Sequence, residues 1–353
     1  MFSLFGVFSS IVTLITTTMA GLIRLLRAHR NPPADPTEIS FTGKTVLLTG
    51  ATSGLGFEAA IKFLNLGVDM LIIGSRTQRR GEETKAELEK RTNRLGVIQA
   101  WELEMDSFES VKAFARRVDR EIPRLDVALL NAGLWNREHI VSSEGWEQTL
   151  QVNTLSTSFL ALLLLPKLRK SASVSGPAHL TVVSSQQFTG IKAESLTTDG
   201  PLLKHLNSPK TRRLRKQYGI SKLLLEYVVK NIASLTRNDD GTVQVIVNSV
   251  SPGFCASSLV RQFKKGYERW FLQLVFKIFA RTAEQGSRSL VSATVQGVES
   301  HGRCWRSDGY LDESMALTVG EEGEKFRVKA WREILDVLRF QAKEIDGAVG
   351  YSA

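Results

Sequence analysis

Tyr218 and Lys222 stand four positions apart at the start of a run with helical spacing, so their side chains lie one above the other on one helix face. A free phenol titrates near pH ~10. An ammonium beside it favours the phenolate and lowers that value, so Tyr218 can give a proton as a general acid or take one as a base. Alone, Tyr-x-x-x-Lys is usually just an amphipathic pair. A second feature stands far upstream, in Lys44-Thr45-Val46-Leu47-Leu48-Thr49-Gly50-Ala51-Thr52-Ser53-Gly54-Leu55-Gly56. Val46 to Leu48 reads as a buried strand, and Phe57 to Leu64 has apolar residues at helical spacing. Gly50 can supply a turn that other residues resist. Gly54 and Gly56 let backbone approach a pyrophosphate and let the helix sit close to the sheet. The helix N-terminus offers N–H groups and partial positive charge to the anion. Strand, G-x-x-x-G-x-G turn and helix together make a phosphate-binding start to a βαβ unit.

Further motifs follow in order. Leu129-Leu130-Asn131-Ala132-Gly133 ends an apolar run, Asn153 lies in a helical stretch, Val182-Val183-Ser184-Ser185 ends a strand, and Val250-Ser251-Pro252-Gly253 follows another. With these motifs in this order, the chain resembles the short-chain dehydrogenase/reductase family from about Phe41 to about Trp305. Within that family it is most similar to fungal retinol-dehydrogenase-like reductases, some of them from secondary-metabolite pathways. Tyr218 to Glu226 and Arg281-Thr282-Ala283-Glu284-Gln285-Gly286 carry the closer likeness.

The resemblance implies a nicotinamide reaction between a carbonyl and an alcohol. The cofactor carries the hydride, and the protein places the carbonyl and handles the proton. It implies a catalytic set of Asn153, Ser185, Tyr218 and Lys222. Ser185 would donate to the carbonyl oxygen, with Ser184 as the rival. Lys222 would also bond the nicotinamide ribose, and Asn153 would support a water bridging to the lysine. Gly50, Ser53, Gly54, Leu55 and Gly56 would cradle the cofactor, and Asn131, Ala132 and Gly133 would back its adenosine and nicotinamide ribose. Pro252 and Gly253 would border the nicotinamide. Ser257 stands where the family often has a threonine bonding the carboxamide. Glu104 aligns with an acidic residue near the adenine, a position where Asp is usual.

Cofactor choice turns on the end of the second strand, which reads Ile73-Gly74-Ser75-Arg76. An acid there would bond the ribose 2′-hydroxyl of NAD, and none is present. Arg76 can pair with a 2′-phosphate and stack on adenine, which favours NADP.

Strand and helix signals alternate from Lys44 to Trp305 without a linker long enough to separate two cores. The expected fold is therefore α/β: one Rossmann-type domain over 41–310 with a doubly wound parallel sheet, right-handed crossovers and the ligand at the strands' carboxyl ends. It carries an N-terminal apolar segment, a Pro-rich spacer over 24–40 and a C-terminal helical extension over 311–353. The predicted helices include Glu144 to Leu168 and Tyr218 to Leu235. Gln186 to Gln217, an insertion beside the catalytic groups, shows no clear period. Two cysteines give no disulfide framework, and five scattered histidines suggest no metal site.

The net charge of +10 concentrates in two stretches, Lys204 to Lys222 and Arg261 to Arg281. No nucleic-acid motif accompanies them, so a solvated face or contact with anionic lipid is the better reading. From Met1 to Ile23 there is no charged residue, and Arg24, Arg27, His29 and Arg30 follow. Roughly 20 apolar residues span a bilayer. The segment just reaches that length, and trailing basic residues keep their side cytosolic. The expectation is an anchor in the endoplasmic reticulum membrane with a cytosol-facing catalytic domain. A surface-lying leader on a cytoplasmic protein is the alternative. Phe254 to Phe279, rich in aromatic and basic residues, reads equally as a greasy lid for a lipophilic substrate, as core packing or as a homodimer face. A catalytically silent, cofactor-binding scaffold is the competing class of function, and the intact Asn153, Ser185, Tyr218 and Lys222 argue against it.

Overall fold

The computed structural model describes residues 19–209, 214–256 and 276–349. Its centre is an eight-stranded sheet in the order β3-β2-β1-β4-β5-β6-β7-β8. The strands are β1 Thr45–Thr49, β2 Met70–Ser75, β3 Ile98–Glu102, β4 Val127–Leu130, β5 Ala178–Val183, β6 Val245–Val250, β7 Cys304–Arg306 and β8 Gly309–Tyr310. All pairings are parallel except the terminal β7–β8 hairpin. The order reverses between β1 and β4, which opens a crevice at the carboxyl ends of those strands. The sheet is Rossmann-type, with helices on both faces.

The period of two explains both layers. Leu47, Ile72, Ala128, Leu130, Leu180 and Val247 face one core; Val46, Leu48, Leu71, Ile73, Val127 and Leu129 face the other. The first core takes the helices Phe108–Glu121, Thr157–Ser175, Leu214–Leu235 and Gly320–Gln341. The second takes Gly54–Asn65 and Ala283–Ala293. The C-terminal extension is thus part of the main core, through Ala330, Ile334, Leu335, Leu338 and Ile345.

Several boundaries differ from the sequence reading. The helix expected from Glu144 begins at Gln148 and widens into a π-helical segment, Gln151–Ser156, before Thr157–Ser175. The helix expected to open at Tyr218 begins at Leu214. The aperiodic insertion holds two 3₁₀ turns and the short helix Leu202–Asn207, whose Leu202 and Leu203 amides donate to Glu333 Oε1 and Oε2 at 2.8 Å each. Of the basic stretches, Lys210, Arg212, Arg213, Arg261, Lys264, Lys265 and Arg269 lie outside the described residues. So do Phe263, Tyr267, Trp270, Phe271, Leu274 and Val275 of the substrate-side segment.

Residues 1–18 of the apolar segment also lie outside the described residues, and a helix runs over Met19–Arg30. The Pro-rich spacer stretch is hydrogen-bonded to the domain. His29 Nδ1 lies 2.9 Å from Ala280 O, Arg288 donates to Pro33 O at 3.1 Å, and Lys62 pairs with Asp35 at 2.7 Å. Among described residues, the stretch long and apolar enough to cross a bilayer is 148–172. It lies mostly buried in the fold, where it serves as a core helix.

Candidate active site

The glycine turn is built as its composition requires. Gly50 and Gly54 have φ of +70° and +58°, a region that favours glycine. A Cβ on Gly50 would stand 2.9 Å from Ala132 Cα, and one on Gly56 would stand 2.3 Å from Gly50 O. Ser53 precedes the helix Gly54–Asn65 in extended conformation. Leu55 turns its side chain to the helix Ala283–Ala293, where a Cβ on Gly286 would meet Leu55 Cδ2 at 2.5 Å. What Leu55 offers the crevice is backbone.

Asn131 locks this turn from the neighbouring strand end. Its Nδ2 donates to Thr49 O at 2.9 Å and Gly50 O at 3.1 Å, and Thr49 Oγ1 accepts from the amides of Asn131 and Ala132. Its amide donors are therefore engaged in shaping the turn rather than presented to a ligand. Gly133 fits closely beyond it. A Cβ there would lie 3.2 Å from Asn153 Oδ1 and 3.7 Å from Lys222 Nζ.

Asn153 sits in the π-helical segment, fully buried. Such one-turn departures recur at functional sites. Its Oδ1 accepts from Leu134 N at 2.9 Å, and its Nδ2 donates to Leu134 O at 2.8 Å and Ser221 Oγ at 3.1 Å. It ties the Asn131–Gly133 turn to the helix that carries the tyrosine and lysine. Gly219 lets that helix close on the 3₁₀ turn after Ser185, since a Cβ there would stand 2.9 Å from Ile191 Cδ1. The closure brings Ser185 into side-chain hydrogen bonding with Tyr218. Ser184 points elsewhere: its Oγ faces the buried Glu226 carboxylate without a hydrogen bond of regular geometry. Of the two serines, Ser185 is the one that interacts with Tyr218.

Burial sets the protonation of the site. The Tyr218 phenol is pushed up to about 12 by desolvation, only partly opposed by its bond to Ser185. This corrects the expectation that the ammonium would hold the phenol low. In this fold desolvation raises the phenol, and Tyr218 is protonated. Lys222 is lowered to about 8 by desolvation, opposed by attraction to Glu226. Its Nζ donates to Val183 O at 2.7 Å and lies 5.8 Å from the Tyr218 ring centroid. Sequence reasoning missed Trp135, whose ring packs against Tyr218 at 5.6 Å between centroids. Its place two positions after Gly133 was the available signal. It also missed Glu226, one helical turn beyond Lys222.

Arg76 and Glu104 follow adjacent strand ends and pair with each other, Nε to Oε2 at 2.9 Å. Pro252 and Gly253 follow β6, with Gly253 at φ +82°. Ser257 lies outside the described residues. Cys255 and Cys304 are buried free thiols, and the described residues hold no cluster of metal ligands.

Glu226 makes a stability prediction. Ser249 donates to its Oε2 at 2.9 Å, and burial raises its carboxyl to about 7. The folded chain therefore holds a proton that the unfolded chain has already released. The resulting stabilisation is full below the unfolded carboxyl's value and is lost as pH rises through about 7. A shift of this size corresponds to about 3 kcal/mol at the upper limit. Glu226→Gln should raise Tm relative to the parent at pH 8 and leave it nearly unchanged at pH 4. Equal Tm differences at the two pH values would show that Glu226 is not buried in charged form.

The fold defines a nucleotide-binding α/β enzyme. A family model described as short chain dehydrogenase matches residues 44–187. The short-chain dehydrogenase/reductase phmF of Phaeosphaeria nodorum is 44% identical over 319 residues, 90% of this chain and 92% of that one. The short-chain dehydrogenase/reductase ffsI of Aspergillus flavipes is 40% identical, over 92% of this chain and 94% of that one. This chain belongs to the short-chain dehydrogenase/reductase family of oxidoreductases, which act on CH–OH groups. Among solved structures, a Pseudomonas aeruginosa RhlG/NADP active-site complex superposes with a TM-score of 0.55 at 22% identity, covering 76% of this chain and 96% of that one. L-sorbose reductase from Gluconobacter frateurii, complexed with NADPH and L-sorbose, gives 0.55 at 19% identity, covering 77% and 97%.

Proposed function

We propose that this protein is an NADP(H)-dependent oxidoreductase that interconverts a carbonyl and an alcohol on a lipophilic small molecule of secondary metabolism. The observation that carries the reading is the convergence of Ser185, Tyr218 and Lys222, with Gly133 set against Lys222 and Asn153. The bound nicotinamide would supply or accept the hydride. Ser185 orients the carbonyl oxygen, Tyr218 delivers the proton, and Lys222 stabilises the phenolate left behind. The Gly50–Gly56 turn and the helix N-terminus suit the pyrophosphate. Arg76 suits a 2′-phosphate, and related folds are described in complexes with NADP or NADPH. Trp135 against Tyr218, and the Phe254–Phe276 ring pair, favour an apolar substrate.

The test is NADPH oxidation against lipophilic ketones, aldehydes and quinones. Saturable NADPH binding with turnover on some of them supports the reading. Absence of NADPH binding at ordinary salt overturns it, and binding without any turnover favours the scaffold. Arg76→Ala removes a charge-assisted pair of about 1.5–3 kcal/mol. NADPH affinity should fall about tenfold, with NADH little changed. Equal weakening of both would show that Arg76 does not read the 2′-phosphate.

The second part of the proposal is place: the endoplasmic reticulum membrane, with the catalytic domain in the cytosol. The uncharged run to Ile23 and the basic residues after it support this. The full chain should pellet with microsomes and resist carbonate extraction. Full-length protein in the soluble fraction at low salt would reject the anchor.

A further inference from the structure

Arg281 is 4% exposed and ties its own segment to three others. Its Nε donates to Ala28 O at 3.0 Å and one terminal nitrogen to Asn31 O at 3.2 Å, both in the N-terminal segment. The other terminal nitrogen donates to Pro252 O at 3.4 Å and Ser307 Oγ at 2.6 Å. Its backbone pairs with the strand end itself: Arg281 N donates to Phe254 O, and Ala256 N to Arg281 O, each at 2.9 Å. A Cβ on Gly253 would stand 3.3 Å from the guanidinium. The Ser251–Gly253 turn is thus pressed between Arg281 and the catalytic groups, because Ser251 Oγ accepts from the amide of Gln186, next to Ser185.

The β7–β8 hairpin turn adds an independent sign. Ser307 and Asp308 hold φ of +48° and +63°, a left-handed conformation that costs non-glycine residues energy. Each is tied into the same assembly, Ser307 by Arg281 and Asp308 Oδ2 by the amide of Ala34 at 2.9 Å. The N-terminal segment therefore supplies partners that a buried guanidinium and a strained turn both need.

We infer that the segment from Ala28 to Asp35 is a working part of the nicotinamide end of the cofactor site, with Arg281 as the positioning residue that joins it to the Ser251–Gly253 turn. Removing the segment leaves Arg281 short of two acceptors and free to release Pro252. The effect should fall on the nicotinamide half of the cofactor and spare the adenosine half, whose 2′-phosphate is assigned to the Arg76 end. The inference rests on the NADP(H) reading above.

The test is titration of NADPH and of 2′-phospho-ADP-ribose, which lacks the nicotinamide, against five proteins. These are the full chain, chains starting at Met19 and at Phe41, Arg281→Met in the full chain, and Arg281→Met in the chain starting at Phe41. The chain from Met19 should match the full chain. The chain from Phe41 and full-length Arg281→Met should each bind NADPH about tenfold more weakly while the fragment's affinity is kept. Combining the two changes should cost clearly less than the sum of the two, since both break the Arg281 connection. Parallel weakening of NADPH and fragment would reduce Arg281 to a general support of the fold and overturn the inference. So would normal NADPH binding by the chain from Phe41. Arg281→Lys in the full chain keeps the charge and reaches fewer acceptors, so it should show a smaller split. If the shortened chain does not fold, that split, or its absence, decides. A full chain that binds no NADPH would instead sink the cofactor reading, a result distinct from either.

Discussion

Tyr218→Phe should lower turnover by about 10² or more, the usual scale for loss of a general acid, while NADPH still binds. The phenyl ring keeps its packing on Trp135 and its place on the helix, so the fold is unaffected. What is lost is a hydroxyl that burial holds protonated, up to about 12, and that Ser185 meets by a hydrogen bond. That combination suits delivery of a proton to a nascent alkoxide. Turnover is read by NADPH oxidation on the best substrate of the panel and binding by titration. Near-normal turnover in the variant would remove Tyr218 from the reaction.

Lys222→Met should cost a comparable factor. A buried phenol at about 12 gives up its proton only if the phenolate is compensated. The ammonium 5.8 Å from the ring centroid is the group on the same helix face that can do so. At an effective dielectric of ~20, a unit charge at that distance contributes about 3 kcal/mol, or roughly 10²-fold. The pH profile carries the sign. Lys222 is lowered to about 8, so kcat/KM for reduction should fall as pH rises through about 8, where the charge is lost. In Lys222→Met the whole profile should sit low and that limb should vanish. Persistence of the limb in the variant would assign it to another group.

The sequence was legible where local pattern and chemistry coincide. Val46 to Leu48 alternates between the two cores, as a strand covered on both faces must, and Gly50 and Gly54 take the left-handed backbone that their turn required. Tyr218 and Lys222 share a face because a helix places i and i+4 together. What was not legible depends on distant partners. The π-helical segment around Asn153 is fixed by its bonds to Leu134 and Ser221, and no pattern within 144–168 distinguishes it from ordinary helix. The high phenol value follows from burial, which spacing cannot report. The contacts of residues 24–40 with the domain were not legible either, because proline and polarity look the same whether a stretch of chain is docked or not.

The Glu333 carboxylate that receives the Leu202 and Leu203 amides has a practical consequence for protein engineering. The insertion after Ser185 differs from the family's commoner length and is the natural segment to exchange between relatives in search of new selectivity. Its short helix is anchored from more than a hundred positions downstream, and the same terminal helix is joined to the catalytic helix by the Arg327–Asn231 bond. The two segments form one transplantable cassette. A chimera that grafts the insertion without its own terminal helix would pair a foreign helix start with a mismatched acceptor. Grafting both together preserves the joint, so exchange of selectivity among these enzymes should succeed in pairs of segments rather than singly.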